Sequence, residues 1–177
     1  YLPLETSLNQ IRYIAVDPGH HEEPVSCFLG YTNLRRRRKR KRIHYEAVSY
    51  CWGEVSDTVE ISLRCARRKV TRNLETLLRA FRRPGKHRVL WIDAICINQG
   101  DNLEKTHQVG SMGSIYKSAS RVLVWLGEAD LFSDIMVESY KVFETKLSSR
   151  PLVTCAERLF LRDWFHRIWV LQEIVLA

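Results

Sequence analysis

The sequence predicts an α/β fold in which a mostly parallel sheet is flanked by helices. From residue 73 onward, apolar runs of strand length alternate with segments of helical period. Such an alternation is typical of a parallel sheet covered on both faces. The chain has 177 residues, of which 45% are apolar, and this size and composition suit one globular domain with a real core.

The N-terminal part predicts a small β-rich extension of this fold. Apolar and β-branched runs bounded by turn residues predict strands at 11–16, 25–30, 45–50, 59–63 and 69–70. We expect a single domain over 1–177, with a lead-in at 1–44 and an α/β core at 45–177. Because Tyr1 stands where an initiator Met would, we also expect a piece of a longer protein.

Each predicted helix of the core begins at a side chain that can cap it: Asn73, Asp101, Asp130 and Asp163. The helical patterns extend to Phe81, about Ala119, Leu147 and about Leu176. Glu104 completes a capping-box pattern with Asp101. Two strands are expected between the helices, at 88–93 and 121–126. Their apolar composition predicts that Val89 to Ile92 form a central strand buried on both faces.

Polar side chains follow three of the predicted strands, over 50–57, 93–101 and 127–130. Ligands of such sheets bind at the carboxyl ends of the strands, so these loops are the expected site. The sequence contains no G-x-G-x-x-G or G-x-x-x-x-G-K-[ST] phosphate motif and no G-x-S-x-G elbow. A conventional hydrolase or NTPase is therefore not expected.

The cysteines and histidines predict no metal site. Five cysteines are present, an odd number, and none forms a C-x-x-C or Cys/His pair with zinc spacing. His20-His21 is an isolated pair in a turn-like stretch. Reduced thiols in a cytoplasmic or nuclear protein fit this pattern best. Cys96 stands out because it follows a strand in a polar loop, although a packed structural thiol is the favoured interpretation.

The predicted last helix, 164–176, carries an unusual carboxylate. Glu173 lies between Trp169 and Leu176, where desolvation would raise its pKa. Acids in such environments are candidates for function, but structural ion pairs produce them too. A salt bridge between Glu173 and Arg167 is the structural alternative.

One basic run produces the net charge of +8. Lys and Arg total 28 and Asp and Glu total 20, so without the eight basic residues from Arg35 to Arg42 the chain has 20 of each. A solvated loop is the first interpretation, a nuclear-import signal the second and a phosphate-contacting arm the third. The run does not spread along an element or alternate with aromatic residues, as a DNA-reading face would.

Replacement of residues 35–42 by a Gly/Ser segment should leave the melting temperature nearly unchanged and abolish salt-sensitive retention on DNA, because counterion release drives such retention. Calorimetry and a heparin or DNA column measure the two effects. A large loss of stability would mean that the run packs against the fold.

Three blocks of sequence resemble the fungal heterokaryon-incompatibility (HET) domain. Residues 45–53, YEAVSYCWG, resemble its Y-x-A-L-S-Y-x-W-G opening. Residues 90–99, LWIDAICINQ, and then 124–127, VWLG, resemble its central block, and 164–174, WFHRIWVLQEI, its closing block. The blocks keep the family's order, and the basic run looks like an insertion. The family is associated with non-self recognition between fungal individuals and with the death of fused cells.

A more distant resemblance links the chain to Toll/interleukin-1 receptor (TIR) domains. Asp93 resembles the acid that ends their second strand, and Trp169 with Glu173 reproduces a W-x-x-x-E spacing. This resemblance implies a TIR-like, flavodoxin-like topology and cleavage of NAD between nicotinamide and ribose, with Glu173 as the catalytic residue. NAD would be a substrate, and no cofactor is expected. The implied substrate-binding residues are Ser49, Tyr50, Trp52, Gly53, Asp93, Ile95, Cys96, Asn98, Gln99 and Trp169.

Three functional hypotheses follow from the sequence. The first is a HET cell-death effector that hydrolyses NAD, and the second is a HET module that acts without catalysis by assembling with partners. The third, a nucleic-acid-binding domain that uses residues 35–42, is the least favoured. We expect a homo-oligomer on activation, contacts with other domains or proteins of the incompatibility pathway, and no membrane span. The expected location is cytoplasmic, or nuclear through the basic run.

Overall fold

A computed structural model of the chain describes residues 1–34, 43–64, 66–142, 149–167 and Glu173. Its strands are β1 (Gln10–Val16), β2 (Ser26–Asn33), β3 (Glu46–Tyr50), β4 (Thr58–Leu63), β5 (Ala66–Thr71), β6 (Arg88–Trp91) and β7 (Val122–Trp125). They form one seven-stranded sheet in the order β5-β4-β2-β1-β6-β3-β7. The basic run, residues 35–42, lies outside the described residues.

Six α-helices lie in the described ranges: α1 (Arg72–Phe81), α2 (Asp93–Cys96), α3 (Asn102–Gly110), α4 (Met112–Ser118), α5 (Leu131–Val142) and α6 (Ser149–Phe160). Two short 3₁₀ turns occupy Thr6–Leu8 and Asp163–His166. Among the described residues, no helix has both the length and the apolar character that crossing a bilayer requires. The α/β class is confirmed.

The sheet is mixed, whereas the sequence predicted a mostly parallel one. Strands β3, β6 and β7 are parallel neighbours, as are β2 and β4. The pairs β1–β2, β1–β6 and β4–β5 are antiparallel. The physical reason is that nine residues connect β1 to β2 and two connect β4 to β5, and both connections are shorter than the crossover that parallel neighbours require. Strand β1 therefore lies inside the sheet, between β2 and β6.

The core surrounds β6, as predicted. Leu90, Trp91 and Ile92 are completely buried, and β6 lies between β1 and β3 in the sheet. Helices α1, α2 and α4 add buried apolar side chains to this core: Leu74, Leu77, Leu78, Ile95, Cys96, Met112, Ile115 and Tyr116. The central position of the strand is thus confirmed, although Val89 is only partly buried and Ile92 follows its end.

The predicted cap of α1 is wrong. Thr71 is the N-cap, and its hydroxyl accepts a hydrogen bond from the Leu74 amide. Asn73 lies within the first turn, and its side-chain amide is used in contacts with the ends of β3 and β7. The Asn73 side chain therefore makes tertiary hydrogen bonds instead of the helix cap that the local sequence predicts.

The long helix predicted from Asp101 is divided in two. Asp101 caps α3 as expected, because its carboxylate accepts from the amides of Leu103 and Glu104. The helix ends at Gly110, and α4 begins at Met112 after a break at Ser111. Glycines at 110 and 113 weaken a helix by about 1 kcal/mol each, which is consistent with a break at this point.

The final helix does not begin where the sequence predicted. Asp163 opens a single 3₁₀ turn, and Arg167 is extended, with φ −84° and ψ 130°. Because the backbone leaves the helical region there, Trp164 cannot share a continuous helical stripe with the residues after Arg167. Trp169 lies outside the described residues. Conversely, α6 was not predicted, although Pro151 in its first turn is a recognised helix-start signal.

A buried ion pair connects β1 with α3. Arg12 is completely buried, and it donates to both carboxylate oxygens of Glu104, at 2.5 and 2.9 Å. It also donates to the carbonyls of Cys96 and Leu2, at 3.1 and 2.6 Å. Arg12 therefore ties the lead-in to the loop that follows β6.

Arg12→Met should lower the free energy of unfolding by about 3–5 kcal/mol, because it leaves the Glu104 carboxylate buried without its cation. Urea denaturation at pH 7 measures the loss. The matched control is Arg67→Met, since Arg67 pairs with Glu60 at 3.4 Å on an exposed strand, and such a pair contributes about 0–1 kcal/mol. Equal losses in the two variants would contradict this role of Arg12.

The stability difference between the native chain and Arg12→Met should also depend on pH. Burial opposes ionisation of Glu104, but hydrogen bonds from Arg12 outweigh it and lower the pKa of this carboxyl. A lowered pKa contributes stability above the unfolded pKa, about 4.3, that is lost as the pH falls through the folded value. The difference in the free energy of unfolding should therefore decrease in acid. A difference that stays constant with pH would contradict this role of the ion pair.

Candidate functional site

The candidate site lies at the carboxyl ends of β3, β6 and β7. Strand β3 pairs in parallel with both neighbours, with Ala47 opposite Trp91 and Tyr50 opposite Trp125. The loops after the three strands therefore open on the same edge of the sheet. This is the edge at which ligands of parallel sheets bind.

Glu173 reaches this edge and contacts β3 directly. Its side chain is buried, with 1% relative exposure. The Ser49 hydroxyl donates a short hydrogen bond to Glu173 Oε2 and accepts one of 2.7 Å from Trp164 Nε1. Ser49, itself completely buried, thus connects the carboxylate with an aromatic side chain of the 3₁₀ turn.

Arg167 forms an ion pair with the same carboxylate. Its Nη1 and Nη2 donate to Glu173 Oε2 and Oε1, each at 3.2 Å. Bidentate guanidinium–carboxylate pairs are among the stronger hydrogen-bonded contacts in proteins. The Arg167 side chain keeps 21% exposure, whereas that of Glu173 keeps 1%. The ion pair offered as the structural alternative is therefore present.

Asp93 follows β6 and faces the loop after β3. Trp52 Nε1 donates to Asp93 Oδ2 at 3.0 Å, and the Ala94 amide donates to Oδ1 at 2.7 Å. Burial raises the pKa of Asp93 above its ordinary value, and these donors, with the positive charge of Arg167, offset it only in part. The site thus holds two carboxyl groups in different environments, and Asp93 takes up a proton more readily than an ordinary aspartate.

Asn73 fixes the loop after β3. Its Nδ2 donates to the Cys51 carbonyl at 2.6 Å, and its Oδ1 accepts from Trp125 Nε1 at 3.0 Å. Gly53 has φ +77°, and a Cβ on it would lie 3.0 Å from the Asn73 Cβ. Glycine at 53 is therefore explained by both backbone conformation and close approach.

The structure brings only part of the predicted set together. Ser49, Trp52 and Asp93 lie at the carboxyl edge with Glu173, and Gln99 Nε2 donates to the Asp93 carbonyl at 3.1 Å. Nothing in the structure tests whether these four residues bind a substrate, and the same holds for the other predicted residues: Tyr50, Gly53, Ile95, Cys96, Asn98 and Trp169.

The other predicted residues have different surroundings. Tyr50, Ile95 and Cys96 are buried in the core, and burial raises the pKa of the Cys96 thiol to about 12. The Asn98 side chain accepts from the Gly100 amide at 3.3 Å within its own loop. A thiol held protonated in the core is a packing group rather than a nucleophile.

Sequence reasoning did not assign Asn73, Trp164 or Arg167 to the site. The sequence predicts Asn73 as a helix cap and Trp164 as the first residue of the last helix. The one available signal was that Trp164 and Arg167 belong to the closing block WFHR. Their contacts with Ser49 and Glu173 join residues that are far apart in the chain, and local periodicity does not report such contacts.

A pocket of about 240 Å³ opens beside this cluster, at the same edge of the sheet. Asn73 lies in its wall, with Arg72 and Thr76 of α1 and with three acidic residues from the strand-end loops: Glu54, Asp57 and Glu128. Arg72 pairs with Asp57 at 2.9 Å. Asn73 therefore lies between this acidic pocket and Cys51, and the loop after β3 contributes to both.

The fold and the site define an α/β domain with a buried carboxylate at the ends of its parallel strands. A family model described as heterokaryon incompatibility protein (HET) matches residues 45–173, so the chain belongs to the HET family. The matched span begins one residue before β3 and ends at Glu173.

A curated relative is heterokaryon incompatibility protein 6, OR allele, of Neurospora crassa. The two are 31% identical over 186 residues, which cover 75% of this chain and 27% of the relative. The chain thus corresponds to about a quarter of that protein. No solved structure matches the chain.

Proposed function

We propose that this HET domain is an effector of fungal non-self recognition whose activation leads to cell death. Two findings support the proposal: the family match over residues 45–173 and the relative named for heterokaryon incompatibility. The domain would pass a recognition signal from other domains or proteins of the pathway to a destructive activity.

For that activity we propose hydrolysis of NAD at the bond between nicotinamide and ribose. The observation that carries this proposal is the position of Glu173, whose carboxylate lies buried at the carboxyl end of β3 against Ser49. A TIR-like topology remains part of the proposal, and it is supported by the parallel strands β6, β3 and β7, at whose carboxyl ends Glu173 lies.

The reaction suits a single carboxylate. The C–N bond breaks with its electron pair going to the pyridinium nitrogen, so nicotinamide leaves neutral and needs no acid. The ribosyl group develops positive charge, as in glycoside hydrolysis, and water then adds to its anomeric carbon and loses a proton. Glu173 would stabilise the cation electrostatically, in a site where burial strengthens the interaction.

Arg167 would have to move before the proposed reaction. Its guanidinium now holds both oxygens of Glu173, so the resting site already contains a cation where the ribosyl cation would form. The reaction requires Arg167 to leave at least one oxygen. Because its side chain is 21% exposed, it can turn toward solvent, and assembly of the domain is the step that would favour this.

The alternative is a non-catalytic assembly module. Two observations favour it: Glu173 is fully engaged by Ser49 and Arg167, and α5 and α6, which pack on each other, expose apolar side chains. Those exposed by more than half are Leu131, Val137, Val153, Phe160 and, just after α6, Leu161. In this alternative the ion pair is structural and the signal travels through protein contacts.

The decisive experiment incubates the purified chain with NAD and measures free nicotinamide by chromatography. One sample is dilute, and the other is tethered to force assembly. The enzyme proposal expects nicotinamide in the assembled sample and little in the dilute one. Assembled protein that kills cells but releases no nicotinamide would favour the assembly module.

A further inference from the structure

A second pocket, of about 460 Å³, lies at the opposite edge of the sheet from Glu173. Because β3, β6 and β7 are parallel, their amino ends meet there. Glu46 begins β3, Arg88 begins β6, and Arg121 directly precedes β7. Arg83, from the segment after α1, completes a cluster of three guanidinium groups around one carboxylate. We call this the amino-end pocket.

The charges of the amino-end pocket do not balance. Arg88 Nε and Arg121 Nε donate to the two Glu46 oxygens, the first at 2.5 Å, and Arg83 Nη2 lies 3.9 Å away. Burial opposes ionisation of Glu46, but hydrogen bonds from Arg88 and Arg121 outweigh it and lower the pKa of Glu46. One carboxylate therefore faces three guanidinium groups, which leaves two positive charges.

Two of the three arginines present donors to the pocket. Arg88 is used in the fold, since its Nη1 also donates to the Phe81 carbonyl at 2.9 Å. Arg121 bonds Glu46 through Nε, and its side chain is 56% exposed. The 3.9 Å contact of Arg83 is too long for a hydrogen bond. Among the described residues, the terminal nitrogens of Arg83 and Arg121 thus remain available for a ligand.

We propose that the amino-end pocket binds the pyrophosphate group of a small phosphorylated molecule. Two guanidinium groups that line one open pocket match adjacent phosphate groups in shape and charge. His44 and His87 line the same pocket and add donors, although His87 also faces Asp17 at 3.1 Å. A pocket of this size admits one such molecule, whereas a nucleic acid would need basic residues spread along a face.

Titration calorimetry with inorganic pyrophosphate tests this proposal. The native chain should bind, and Arg83→Gln and Arg121→Gln should each weaken binding about tenfold. Arg83→Gln leaves both close contacts of Glu46 intact and so keeps the fold. The matched control is Arg67→Gln. Arg67 is exposed and lies on β5, at the other end of the sheet, so this variant should bind pyrophosphate as the native chain does.

Two further titrations distinguish the amino-end pocket from the basic run and from the site at Glu173. The Gly/Ser replacement of residues 35–42 should retain binding, and Glu173→Gln should bind unchanged whether or not the domain cleaves NAD. Titration with ATP distinguishes the sources: tighter binding than pyrophosphate indicates a nucleotide, and equal binding indicates the phosphates alone. The proposal is overturned if the native chain does not bind pyrophosphate, or if duplex DNA binds and pyrophosphate does not. It is also overturned if Arg83→Gln and Arg67→Gln bind pyrophosphate equally well, or if only the replacement of residues 35–42 abolishes binding.

Discussion

Glu173→Gln should slow NAD cleavage by the assembled domain about 100-fold, which corresponds to about 2.7 kcal/mol of transition-state stabilisation. Glutamine keeps the size of the side chain and can still accept from Ser49, so the contact with β3 is preserved. What is lost is the negative charge that would face the ribosyl cation. The measurement is the initial rate of nicotinamide release per folded molecule, with cell killing as the second readout.

The control for Glu173→Gln is Glu128→Gln, which removes an exposed carboxylate at the same edge of the sheet. It should leave the rate unchanged. If the pair with Arg167 is structural alone, Glu173→Gln will lower the melting temperature, and killing will fall only as the folded fraction falls. A stable Glu173→Gln variant that kills as well as the native domain would refute the catalytic role.

Ile92→Asp should unfold the domain. Ile92 is completely buried. It is the N-cap of α2, and its carbonyl accepts hydrogen bonds from the amides of Ile95 and Cys96. A carboxylate there would be desolvated among apolar side chains at a cost of several kcal/mol, comparable with the whole stability of a domain, about 5–15 kcal/mol. Circular dichroism and the elution volume in size-exclusion chromatography report the loss.

The control at this position is Ile92→Val, which removes one methylene group and should cost only about 0.5–1.5 kcal/mol. The neighbouring Asp93→Asn should fold, because its amide oxygen can replace Oδ1 and still accept from the Ala94 amide, although an amide nitrogen in place of Oδ2 cannot accept from Trp52 Nε1. It should nevertheless reduce function, since Asp93 lies at the ligand edge. A native-like melting curve for Ile92→Asp would mean that the end of β6 is open to water.

The strands were predictable from sequence, and their arrangement was not. Alternating and continuous apolar runs located all seven strands, because side-chain burial leaves a local record in the chain. The pairing of strands that are not consecutive in the chain leaves no such record. The antiparallel pairing of β1 with β6 joins Ile14 to Leu90, and it depends on where the β1–β2 hairpin docks.

The candidate site was predictable in part. The buried carboxylate and its two interpretations followed from local sequence, since Glu173 is surrounded by apolar residues and lies near Arg167. Its contact with Ser49 spans 124 positions, and no spacing rule reaches that far. Arg167 was misplaced on a helix because an Asp at 163 normally caps one, whereas here the chain turns once and extends.

The position of β1 has a practical consequence for where the domain is cut. The family match starts at residue 45, so a protein trimmed to that boundary would lack both β1 and β2. Strand β6 would then present a row of unpaired amides and carbonyls to solvent, and Glu104 would lose Arg12. An open edge on an apolar strand recruits strands from other molecules, so such a fragment should aggregate, and the first 44 residues belong in any soluble form of this domain.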